Sequence, residues 1–81
     1  MYLLLCKSLT YAQRSARVLE QKGVGATVVK APAAAQANGC AYCVRIKEKN
    51  RAGAMHILEA SGLPPQRVFR MEHDTLTEVT E

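Results

Sequence analysis

The sequence predicts an α+β domain: a ferredoxin-like βαββαβ sandwich, in which a four-stranded antiparallel sheet carries two helices on one face. Three observations predict it. Short apolar or β-branched runs alternate with two stretches whose apolar residues recur at helical spacing. The two halves echo each other, since Leu19-Glu20-Gln21-Lys22-Gly23-Val24 aligns with Leu58-Glu59-Ala60-Ser61-Gly62-Leu63, and the same offset lays the first strand on the third and the second on the fourth; two βαβ units related in this way fold into one two-layer sandwich. Finally, 81 residues that are 48% apolar, with many of those alanine, no Trp and one Phe, suffice for a single domain with a thin core of Leu, Val and Ile.

The elements follow in order. Residues 2–7, Tyr-Leu-Leu-Leu-Cys-Lys, are a continuous apolar run too short for a helix, as expected of a central strand buried on both faces. Ser8 or Thr10 caps a helix whose apolar side is Leu9, Ala12, Ala16 and Leu19, and Lys22-Gly23 ends it. Residues 24–31 are β-branched and stop at Pro32; residues 33–37 have room for one helical turn. Residues 40–47 form the third strand, with Tyr42, Val44 and Ile46 on one face and Ala41, Cys43, Arg45 and Lys47 on the other. Residues 48–61 form the second helix, with Ala54, Ile57, Leu58 and Ser61 as its stripe, closed by Gly62 and Pro64-Pro65. Residues 66–72 are the last strand. The domain body is thus residues 1–71, and 72–81 is an acidic C-terminal tail. In this architecture one sheet face is bare, and the first strand is apolar on both sides, so either Leu3 and Leu5 or Tyr2, Leu4 and Cys6 would meet water in a monomer; a homodimer or a docking surface is expected there.

Charge divides by position. Residues 1–71 hold all 11 Lys and Arg against Glu20, Glu48 and Glu59, whereas residues 72–81 hold Glu72, Asp74, Glu78 and Glu81 and no base. A basic body of this kind attracts anionic partners without specifying which. The N-terminus has no basic stretch and its apolar run ends at Lys7, too short for an export signal or a membrane span, so the expected location is the cytoplasm, with reduced thiols and no membrane partner.

Chemistry concentrates in Asn38-Gly39-Cys40-Ala41-Tyr42-Cys43. A disulfide between Cys40 and Cys43 requires the loop to curl, because residues three apart in a strand stand about 10 Å apart and a disulfide needs Cα atoms within about 7 Å. Structural zinc needs four ligands, and Cys6, His56 and His73 are scattered. A single nucleophilic thiolate at Cys40 remains, presented beside the uncrowded backbone of Gly39, with Arg45 and Lys47 as sources of positive potential and Cys43 as a resolving or tuning thiol. Such a thiolate accepts sulfur or selenium and hands it on by exchange. The competing reading is that all three cysteines are small buried hydrophobes. No carboxylate pair, Ser/His/Asp set, phosphate-cradling loop or cofactor fingerprint accompanies them, so no complete enzyme apparatus can be named. Sequence-specific RNA binding is not expected, because the central strands offer only Tyr2 and Tyr42 for base stacking.

The start Met-Tyr-Leu, the Leu-Glu-x-x-Gly turn, the Pro32 segment, the Cys-x-x-x-Val-Arg-Ile strand beginning at Cys40 and the final Gly-Leu…Val-Phe strand resemble the selenium/sulfur carrier protein-like family, small bacterial domains that also occur fused behind a sulfur-carrier domain of the Cys-Pro-x-Pro type. The resemblance spans about residues 1–71. It implies that Cys40 is the family cysteine, although the family's Ser-Cys-Gly is Gly39-Cys40-Ala41 here and Cys43 is an addition. It also implies a sulfur or selenium carrier, or a thiol-based accessory, that works with donor and acceptor proteins rather than as a self-contained enzyme. The alternative is a non-catalytic module that dimerises or docks through the open sheet face.

Overall fold

The computed structural model describes residues 1–32 and 42–79. The chain runs β1 (Tyr2–Cys6), α1 (Leu9–Gln21), β2 (Thr27–Lys30), β3 (Tyr42–Ile46), a 3-10 turn (Glu48–Asn50) leading into α2 (Arg51–Ala60), β4 (Arg67–Glu72) and β5 (Thr75–Val79). The sheet has the order β2-β3-β1-β4-β5, and every neighbouring pair is antiparallel. The α+β class and the βαββαβ order are present, but the sheet has five strands where four were expected.

The apolar run of β1 places it at the centre, and its alternation feeds two cores. Leu4 and Cys6 join Val44, Ile46 and Val68 beneath Ala12, Ala16 and Leu19 of α1 and Ala54 and Leu58 of α2. Leu3 and Leu5 join Cys43, Phe69 and Ala31 on the opposite face. Both α1 and α2 therefore pack on one side, and the opposite face, which carries no helix among the described residues, has an apolar cluster of its own. The expectation that a strip of β1 meets water is corrected here: Leu3 is 2% and Leu5 4% exposed within the single chain. Among the described residues, the large apolar side chains that are exposed are Met1 and Leu9.

Local chemistry explains the helix ends. Ser8 is the N-cap of α1, its Oγ accepting from the Tyr11 amide at 3.2 Å. Leu9, expected in the core stripe, points to solvent, and Ser15 is buried instead; its hydroxyl donates to the Tyr11 carbonyl at 2.9 Å, which satisfies it inside its own helix. The internal repeat is visible at the C-terminal caps. Val24 donates its amide to the Leu19 carbonyl at 2.9 Å across Gly23, and Leu63 donates to Leu58 at 2.8 Å across Gly62. Both glycines have left-handed φ, 82° and 72°, where a side chain would be strained. Because Val24 belongs to the cap of α1, β2 starts only at Thr27.

The fifth strand comes from the stretch expected as an acidic tail. Thr75-Leu76-Thr77-Glu78-Val79 alternates with period two, setting Leu76 opposite Met71 and Val79 opposite Val68. Glu78 of β5 holds Arg67 of β4 through two hydrogen bonds of 2.7 and 3.0 Å, and Glu72, itself on β4, holds Arg70 at 2.7 Å. The connection is a two-residue turn, His73-Asp74, with φ of 49° and 63°. Two successive positive φ values are the geometry that Asn-Gly adopts without strain. Replacing His73-Asp74 by Asn-Gly is therefore expected to raise stability by about 0.5–1 kcal/mol, seen as a higher melting temperature; an unchanged or lowered midpoint would show the turn is not strained.

Candidate functional site

The two described cysteines lie on opposite faces of the sheet. Cys43 lies on β3 with its side chain on the face opposite α1 and α2, next to Leu5 of β1 and Val29 of β2 in register, and it is fully buried. Burial pushes its thiol up to about 11, and the neighbouring Cys6 acts in the same direction. Cys6 lies on the helix side, 1% exposed, its Sγ–H donating to the Leu4 carbonyl at 3.6 Å. Burial raises its pKa too, and a hydrogen bond with Ser15 partly offsets that. Neither thiol is poised as a nucleophile, because the thiolate is the reactive form and an apolar setting disfavours it. Ser15 is the contact that sequence reasoning missed; an isolated serine at a helical stripe position gives no sign of whether it faces a thiol.

A raised thiol pKa is also a stability statement. The folded state holds the Cys43 proton more tightly than an unfolded chain, whose thiol titrates near 9.0. The resulting contribution is fully present below pH 9 and is lost as pH rises through about 11. Cys43→Ala is thus expected to lose less stability than the wild type between those values, by up to about 2–3 kcal/mol, in urea titrations at each pH. Parallel stability curves would overturn that reading of Cys43.

Cys40 and Gly39 lie outside the described residues, as do Ala41 and the 33–37 stretch. What is described is where their flanking chain lies. Tyr42, two residues after Cys40, is paired with Lys30 on one side and Cys6 on the other. The chain therefore enters β3 at the end of the sheet where β1 finishes and α1 starts two residues after Ser8's neighbour Lys7, with Lys7 and Lys30 both exposed at that end. Arg45 and Lys47 lie elsewhere. Arg45 is three residues farther along β3, about 10 Å from Tyr42 at strand rise, and both cations line a cleft of about 390 Å³ with Gly25, Thr27 and Glu20.

The aromatic residues weighed for base stacking do not form an exposed platform. Tyr2 and Tyr42 are partly buried against the helix-side core, Phe69 is buried, and the Arg51 guanidinium lies over the Tyr2 ring, 5.4 Å from its centre. His56 is exposed on α2 and His73 sits in the β4–β5 turn. Among the described residues, no three His, Cys, Asp or Glu side chains gather where they could hold a metal ion. No helix among them is long and apolar enough to cross a membrane.

Residues 1–70 match the family described as Putative Se/S carrier protein-like. The chain belongs to that family. Neither the curated proteins nor the solved structures include a match to it. The family region of this Se/S carrier-like chain runs from β1 into β4 and contains all three cysteines, whereas β5 lies beyond it.

Proposed function

We propose that this chain carries sulfur or selenium on Cys40, receiving it from a donor protein and passing it to an acceptor. The observation that carries the reading is the burial of Cys6 and Cys43 in a chain belonging to the Se/S carrier-like family: with two of the three thiols withdrawn into the cores, Cys40 is the one left to serve. In the transfer, the Cys40 thiolate attacks the outer sulfur of a persulfide on the donor. The donor's S–S bond breaks as the new one forms, and the donor leaves as a thiolate, so no external oxidant or reductant is needed. An acceptor nucleophile then repeats the step on the Cys40 persulfide. Selenium follows the same course as a selenosulfide.

In this reading Cys43 is a packing residue more than a resolving thiol, since resolution needs its thiolate and burial opposes that. Lys7 and Lys30 are better placed than Arg45 and Lys47 to favour a thiolate near the start of β3, because screening weakens exposed charges beyond about 8–10 Å. The scaffold is read as a ferredoxin-like sandwich extended by β5, working in a reducing cytoplasm. A dimer built on bare leucines of β1 is no longer part of the reading, because those leucines are buried in the single chain; the docking-module alternative loses the same support. The experiment is mass spectrometry of the protein after incubation with a cysteine desulfurase and cysteine, wild type against Cys40→Ser.

A further inference from the structure

The positive charge of this chain is neutralised unevenly. Two acids of the C-terminal stretch are committed to arginines of β4, Glu72 to Arg70 and Glu78 to Arg67. On α1, by contrast, Arg14 and Arg17 are exposed, and neither forms an ion pair or hydrogen bond among the described residues. The one acid of α1, Glu20, lines the separate cleft that contains Arg45 and Lys47.

Arg14 and Arg17 stand between two depressions. One, of about 410 Å³, lies between α1 and the turn after α2 and is completed by Val18, Ser61, Gly62 and Leu63. The other, of about 300 Å³, continues over the outer face of α1 past Thr10 and Gln13. No acid lines either, whereas the clefts at Arg45 and at Arg70 contain Glu20 and Glu72. The far wall is held in place: the Tyr11 hydroxyl donates to the Gly62 carbonyl at 3.4 Å, and Leu63 is tied back to Leu58 at 2.8 Å.

We propose that this groove docks an acidic segment of a protein partner, with carboxylates on Arg14 and Arg17 and an apolar side chain against Val18 and Leu63. Two guanidiniums three residues apart on a helix present neighbouring forks about 5–6 Å apart at their Cβ atoms, a spacing matched by acids at i and i+3 or i+4 of a partner helix. The apolar part of the wall favours a peptide over a phosphate chain. The one ring nearby, Tyr11, is tied to Gly62 through its hydroxyl and lies under the Lys7 ammonium at 4.9 Å, which leaves no stacking surface for bases. The inference goes beyond the carrier reading and does not use Cys40.

The test is a titration of the isotope-labelled chain, followed by amide NMR at low and moderate salt, with a peptide alternating Asp-Glu pairs and leucine. Saturable shifts are expected at residues 10–18 and 61–63. Arg14→Glu with Arg17→Glu should weaken binding by about tenfold or more, while the charge-matched control Lys47→Glu with Lys49→Glu changes it by less than about twofold. The proposal is overturned by unsaturable shifts, by equal losses in both double variants, or by an oligouridylate of equal charge that binds the groove more tightly than the peptide. Retained dispersion of the amide spectrum shows that the variants still fold.

Discussion

Cys40→Ser is expected to abolish the sulfur adduct that the wild-type protein gains from a cysteine desulfurase, whereas Cys43→Ser and Cys6→Ser keep it. The physical basis is the state of the two described thiols. With its pKa at about 11, Cys43 is a thiolate in only about one molecule in 10⁴ at neutral pH, and its sulfur has no exposed surface. Cys6 is similarly buried and its pKa is raised by desolvation. Loss of either buried thiol is expected to act on stability: at position 43 a serine hydroxyl placed in an apolar cluster without a partner costs about 1–3 kcal/mol, and at position 6, where the Leu4 carbonyl and Ser15 are within reach, the cost is smaller. The outcome thus separates two kinds of cysteine, one whose replacement removes the adduct and two whose replacement lowers the unfolding midpoint. An adduct that persists in Cys40→Ser, or a wild type that gains none, sinks the carrier assignment.

Leu4→Ala is expected to be the most damaging single truncation of the scaffold. Leu4 is 0% exposed at the middle of β1, flanked in register by Val44 and Val68, in the same core cluster as Leu19 and Leu58. Truncating a leucine in such a place removes its transfer energy and leaves a cavity between two helices and three strands, a loss of about 2–5 kcal/mol. A domain of this size is stable by only about 4–12 kcal/mol, so the variant is at best marginal. Leu9→Ala is the control, because Leu9 is 40% exposed and its loss costs about 0.5 kcal/mol or less. Urea midpoints measure the difference; equal midpoints for the two variants would contradict the core described here.

Much of the scaffold was legible because its signals are local. The helix caps at Ser8, Gly23 and Gly62 depend on side chains and φ values within a few residues, and the repeat that places Gly23 over Gly62 is a string comparison whose structural consequence is two matching caps. Leu9 misled for the same reason that it looked convincing: helical spacing identifies a stripe but not which edge of it the sheet covers. β5 went unread because its turn is His-Asp in place of the Asn-Gly pattern that announces such a hairpin, and because the four acids of residues 72–81 suggested a solvated tail. The position of Arg67 on the adjacent strand is what makes Glu78 compatible with a paired strand.

The candidate site divides along the same line. That the body is basic and that the architecture is α+β were determined by residue types and their order, since propensity, periodicity and charge are properties of the chain itself. Which cysteines are withdrawn, which sheet face is covered and where uncompensated arginines gather depend on contacts between segments distant in sequence. Cys43 is buried because Leu3, Leu5 and Phe69 cluster with it, and Glu72 and Glu78 are held by Arg70 and Arg67 rather than standing near Arg14 and Arg17. Desolvation and Coulomb interactions act through space, and only the folded chain sets those distances.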